Sequence, residues 1–143
     1  MGPCIALTRG GRLRAKIKWR DDEDGHLVTC DEEFRHAFAE AEQDAARLPL
    51  IAEVTLDDGD CLSIGLGREI SVLSYVGASK MPPYFSSQGP ARVRDGEGVV
   101  FHYYGHWSEF PPSAAVPTAE AVEAVRYFCE HGKLSPLMNW VEV

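Results

Sequence analysis

Several of the patterns that announce chemistry are missing from this chain. No GxSxG, no HExxH and no His-x-Glu followed by Pro-Cys-x-x-Cys occurs, which removes the nucleophile-elbow hydrolases, the zinc proteases and the zinc deaminases as templates. No stretch reaches the roughly 18 unbroken apolar residues that a membrane helix needs, so no membrane partner is expected. Met1-Gly2-Pro3-Cys4-Ile5-Ala6-Leu7 has neither a leading positive charge nor a long apolar run, so a secretory signal is not expected and the cytoplasm is the expected location. Cys4, Cys30, Cys61 and Cys129 stand singly without a CxxC pair. That spacing suits neither a metal cluster nor a small disulfide scaffold, and it predicts four free thiols behaving as small hydrophobes.

Cofactor motifs are equally sparse. Gly65-Leu66-Gly67 lacks the third glycine, the lysine and serine, and the following helix of a phosphate loop, and reads instead as backbone geometry at a bulge or tight turn. His102 and His106 are four apart but straddle a turn, with no carboxylate or thiol at ligand spacing, so no metal is expected. His131 falls in the last turn of a helix, where a cation suits the dipole. No constellation of nucleophile, base and charge stabiliser emerges, and the sequence reads as that of a protein without catalysis and without a cofactor.

What is present is acidity. The formal net charge is −8, yet Arg9, Arg12, Arg14, Lys16, Lys18 and Arg20 give the first twenty residues +6 with no acid, so the remainder carries −14. That remainder is a poor match for nucleic acid, whose phosphates call for cationic side chains. It suits a basic protein partner, because complementary potentials speed encounter and discourage wrong partners.

At 143 residues the chain has the length of a single domain, 1–143, able to bury one core. Residues 12–19 alternate basic with apolar, the period of a half-buried strand with a cationic outer face, and Asp21-Asp22-Glu23-Asp24-Gly25 follows as a turn. A helix should start near Asp31 as its cap, with Glu32 and Glu33 in its first turn, and bury Phe34, Phe38, Ala41, Ala45 and Leu48 before Pro49 ends it. Residues 50–56, 61–66 and 70–76 then read as three successive antiparallel strands. A Pro, Gly and Ser-rich loop from Gly77 to about Pro90 comes next, followed by a hairpin of 99–104 and 106–110 around Gly105. A second helix is expected after Pro117, capped by Thr118, facing inward with Val122, Val125, Phe128 and Cys129 and stopped by Gly132. A last strand at 137–141 places Trp140 in the core. The order predicts an α+β fold, a mainly antiparallel sheet with two packed helices.

Two kinds of surface residue stand out. Tyr84 and Phe85 sit in a proline-flanked loop, and Tyr103, Tyr104, Trp107 and Phe110 crowd one hairpin; exposed aromatics are typical anchors of protein interfaces. Asp57-Asp58-Gly59-Asp60 is an acidic turn able to meet a cationic groove.

Taken in order, these segments resemble the Imm1 immunity proteins of bacterial polymorphic toxin systems. The resemblance covers about residues 50–141: the acidic hairpin leading to Leu62-Ser63-Ile64-Gly65-Leu66-Gly67, then Ser71-Val72-Leu73-Ser74-Tyr75, Pro83-Tyr84, Trp107-Ser108-Glu109-Phe110, a Pro-led helix with Ala121 and Phe128, and a terminal Asn139-Trp140. It implies a non-catalytic α+β domain that binds and neutralises a cognate toxin, often a nucleic-acid deaminase. It leaves the basic first strand unplaced. The expected mechanism is occlusion of the toxin's active site, with Asp57, Asp58, Asp60, Tyr84, Phe85, Trp107 and Glu109 as the contact residues. The alternative is a small non-catalytic protein-binding adaptor of another system.

Overall fold

The computed structural model describes residues 14–21, 24–89 and 98–143. Its strands are β1 (Ala15–Lys18), β2 (His26–Val28), β3 (Leu50–Leu56), β4 (Cys61–Leu66), β5 (Ile70–Ser71), β6 (Leu73–Val76), β7 (Phe85–Gln88), β8 (Val99–Tyr103), β9 (His106–Phe110), β10 (Val116–Pro117) and β11 (Asn139–Glu142); its helices are α1 (Asp31–Ala45) and α2 (Thr118–His131). The main sheet runs β11-β7-β6-β4-β3-β1-β2, with β8 also joined to β3 and β9 to β8. Its pairings are antiparallel except β3 with β8, which meet at Leu50 and His102. The expected α+β class is therefore the observed one: two helices on a mostly antiparallel sheet.

The period-2 pattern explains which face carries the helices. Ala15 and Ile17 of β1, Ala52 and Val54 of β3, Leu62, Ile64 and Leu66 of β4 and Leu73 of β6 all point one way and are buried. Against them α1 lays Phe34, Ala37, Phe38, Ala41 and Ala45, and α2 lays Ala121, Ala124, Val125, Phe128 and Cys129. Strand residues of opposite parity face away from the helices, and at one end the β8–β9 hairpin covers them. There Ile51, Val72, Val99, Phe101, Ala114 and Ala115 form a second apolar cluster.

The two glycines of Gly65-Leu66-Gly67 have separate reasons. A Cβ on Gly65 would stand 2.7 Å from three atoms of the buried Phe101 ring, so the missing side chain is what lets the hairpin close on the sheet. Gly67 has φ +103° and leads the turn out of β4, a conformation L side chains rarely adopt.

Several expectations need correction. The N-cap of α1 is Cys30, and its side chain makes no capping bond; Asp31 lies just inside the helix and turns to Arg126 of α2, whose Nε donates to it at 2.8 Å, and to Arg35. Helix α1 ends at Ala45, so Leu48 falls beyond the buried stripe and is half-exposed. Thr118 does not cap α2 either, because its hydroxyl donates to the carbonyl of Arg68 at 2.8 Å. The third long strand is two, β5 and β6, broken at Val72, whose carbonyl accepts from the Gly65 amide. The expected loop from Gly77 contains β7, an interior strand paired with β6 and β11. Trp140 is at the rim of the core, half-buried, with its indole N–H on the carbonyl of Ser135. Cys30 is disulfide-bonded rather than free, whereas Cys61 and Cys129 are free; Cys4 and the start of the basic stretch lie outside the described residues.

Candidate partner-binding surface

The residues expected at an interface fall into two groups at opposite ends of β3. A strand advances about 3.3 Å per residue, so the acidic turn after Leu56 and the hairpin that meets β3 at Leu50 are separated by roughly 20 Å.

At the turn end, the three aspartates differ in what they do. Asp57 pairs with Arg14, Nε to Oδ2 2.7 Å, so part of its charge is already answered within the chain. Asp60 is built into the structure: its Oδ1 accepts the Ala78 amide at 2.9 Å, tying the β3–β4 turn to the loop after β6. Asp58 is exposed, and one of its oxygens accepts the Asp60 amide at 2.9 Å, which orders the turn while leaving the charge in water. Nearby, the Tyr84 hydroxyl donates to the Lys80 carbonyl at 2.7 Å and fixes the loop on itself. Phe85 begins β7 and leans against Tyr75, ring centroids 6.2 Å apart, at the margin of the helix-side core. It is half-buried rather than displayed.

At the other end, Tyr104 and Gly105 take positive φ, 50° and 84°, and form the tight turn of the β8–β9 hairpin. Pairing sets His102 opposite Trp107 and Val100 opposite Glu109. The alternate residues, Val99, Phe101 and Phe110, pack inward. Trp107 is consequently turned to solvent, 69% exposed, and Glu109 is exposed on the same side with its carboxylate against Gly98.

Between the groups lies a cluster that sequence reasoning missed. Both oxygens of Glu53 are taken by phenols: Tyr103 donates at 2.9 Å and Tyr104 at 2.6 Å. Burial, then the hydrogen bond to Glu53, pushes the Tyr103 hydroxyl up to about 12 and raises Tyr104 further, so both act as donors at neutral pH. Lys18, opposite Glu53 on β1, places its ammonium 5.4 Å from the Tyr104 ring centre. This arrangement pins the hairpin tip to the sheet, which otherwise holds β8 at a single register position. The available signal was the lone carboxylate in Leu50-Ile51-Ala52-Glu53-Val54-Thr55-Leu56. A charge in an apolar strand needs a partner.

The rest of this sheet face mixes small polar residues with Val76 and Val141. Ser63, Ser74 and Ser86 lie in register across β4, β6 and β7, with Cys61 and Thr55 beside them. Burial raises the Cys61 thiol above its ordinary range, so it is not an activated nucleophile. Among the described residues no group of three or more His, Cys, Asp or Glu side chains could hold a metal, and no helix is long and apolar enough to cross a membrane.

A search of curated proteins finds no match. A family model described as "Immunity protein Imm1" matches residues 22–142, a span that includes β2 through β11. The match begins earlier than the resemblance from residue 50 and includes β2 and α1, so the first helix is part of the shared fold. Covering well over half of the sequence, it establishes that the chain belongs to the Imm1 immunity protein family.

Proposed function

We propose that this chain acts as one domain in the cytoplasm, binding a cognate toxin that is a nucleic-acid deaminase and blocking access to its active site, with no reaction of its own. A deaminase takes a base into a pocket served by a cationic nucleic-acid groove, and an acidic protein with an aromatic anchor is complementary to such a groove. The observation that carries the reading is Trp107, held 69% exposed on a hairpin whose tip is pinned by two phenol hydrogen bonds. Large, rigid, exposed aromatics are where interface energy concentrates. Trp107 and Glu109 form one contact. Asp57, Asp58 and Asp60 with Tyr84 and Phe85 form the other, within which Asp58 has the charge left most open to a partner.

The test is the association rate with the cognate toxin domain. Asp58→Lys should lower it by about threefold to tenfold at low salt and leave dissociation nearly unchanged. An association rate that ignores both the substitution and the salt concentration would remove the electrostatic part of the reading.

The Cys30 disulfide bears on the compartment, because disulfides persist where conditions are oxidising. In a reducing cytoplasm Cys30 is expected as a free thiol. Alkylation trapping in intact cells decides it: labelled Cys30 supports the cytoplasm, and protected Cys30 moves the encounter to an oxidising compartment.

A further inference from the structure

The outer side of α2 has a second surface that the contacts above do not use. A groove of about 430 Å³ opens between α2 and the segment 135–138. Its apolar part is made by Tyr127, Leu137 and Met138, and Leu137 is 96% exposed, so the structure spends nothing of its own on covering that side chain. Its rim is acidic: Glu120, Glu123 and Glu130 line it at helical spacing along α2. Among the described residues the cation in the lining is Arg126, which is committed to Asp31 at 2.8 Å and reaches Glu130 at 3.8 Å. Among the described residues Glu120 and Glu123 form no ion pair, and Arg126, which also feels Glu123 and Glu130 through space, is the cation set against them, so the groove carries more acid than base beside its apolar residues.

We propose that this groove receives a cationic segment of the toxin, an apolar side chain flanked by Lys or Arg, as a second contact away from the hairpin. The proposal rests on the immunity reading above, and the argument for this occupant is charge complementarity. An apolar anchor fills the space beside Leu137 and Met138, while flanking cations answer Glu120 and Glu123. Because α2 packs on the face of the sheet opposite the hairpin, the two contacts would be made by different parts of the partner, and avidity between them would lower its dissociation rate.

The probe is a short synthetic peptide of lysine and leucine at helical spacing, compared with a matched glutamate and leucine peptide, followed through backbone amide resonances of the full chain. The expected result is saturable shifts confined to α2 and residues 135–138 with the lysine peptide alone. Affinity should fall by about tenfold in Glu120→Lys with Glu123→Lys, and Leu137→Asp should weaken it as much; these side chains lie at the surface, so folding should be retained. Equal shifts with both peptides, shifts elsewhere, or indifference to the substitutions would overturn the proposal. So would concentration-dependent broadening of the groove resonances without peptide, which would make the occupant a second copy of the chain. The toxin domain supplies the separate arm. If the wild-type chain neutralises it and the triple variant neutralises it with the same dissociation rate, the groove proposal fails and the immunity reading stands. If the wild-type chain does not neutralise it, the immunity reading fails and the toxin assignment of the groove fails with it.

Discussion

Replacing Trp107 with alanine separates binding from folding. An aromatic side chain buries roughly 150–250 Å², and tryptophan is at the top of that range; with 69% of it exposed, about 170 Å² remains to be covered by a partner. At about 25 cal/mol per Å² this sets a ceiling of about 4 kcal/mol. Side-chain ordering and imperfect desolvation return part of it, so the expected loss is about 2–3 kcal/mol, or about 30- to 150-fold in Kd. Most of the change should appear as faster dissociation. Folding should hardly notice: the substitution loses one cross-strand contact with His102, worth less than about 1 kcal/mol. Surface plasmon resonance against the toxin domain and urea denaturation of the free chain measure the two effects. An affinity within about twofold of the parent would refute the reasoning, because a buried anchor of that area cannot be removed at so small a cost.

Three further outcomes follow from the packing and the charges. Gly65→Ala drives a methyl into the buried Phe101 ring and should cost about 1–3 kcal/mol, read as a fall of several degrees in Tm; an unchanged Tm would mean the hairpin closes differently. Asp31 has a folded pKa held below the usual 3.8 by its hydrogen bond from Arg126. Its contribution is therefore complete above the unfolded value and lost as pH falls through the folded one, so the stability gap between the parent and Asp31→Asn, about 1–2 kcal/mol at neutral pH, should close on acidification below 3.8 and be flat above about pH 5. Cys129, buried and with its thiol pushed up to about 12, should react with a disulfide reagent only after denaturation; more thiols should titrate after reduction than before, owing to Cys30. Rapid labelling of Cys129 in the native protein would contradict its placement.

Local periodicity made much of this fold readable. The alternation in Ala15-Lys16-Ile17-Lys18 and in the segments that became β3 and β4 sorted inward from outward residues, because a strand reverses its side chains at each step. The stripes of α1 and α2 were legible for the same kind of reason, and Gly132, at φ +69°, stopped α2 where expected. Interior strand β7 was missed because Phe85-Ser86-Ser87-Gln88 has little intrinsic preference for strand. Its place comes from β6 and β11 on either side and from Ser87, whose hydroxyl donates to Ala114 and accepts from Leu73. The caps failed for a related reason: Asp31 and Thr118 found tertiary partners better than their own helix ends.

The candidate surface was legible in part. Trp107 and the acidic turn could be named from residue type alone. The division of labour among Asp57, Asp58 and Asp60 could not, since it depends on Arg14 and Ala78 arriving from elsewhere in the chain. Glu53 and its two tyrosines are about fifty positions apart in sequence, and only the folded hairpin brings them together.

The most direct test of the central claim is a titration of the cognate toxin domain's activity with the purified chain. Binding by occlusion predicts that activity falls linearly and is abolished near one equivalent, with the chain recovered unchanged. Full toxin activity in the presence of a large molar excess of folded chain would contradict the account.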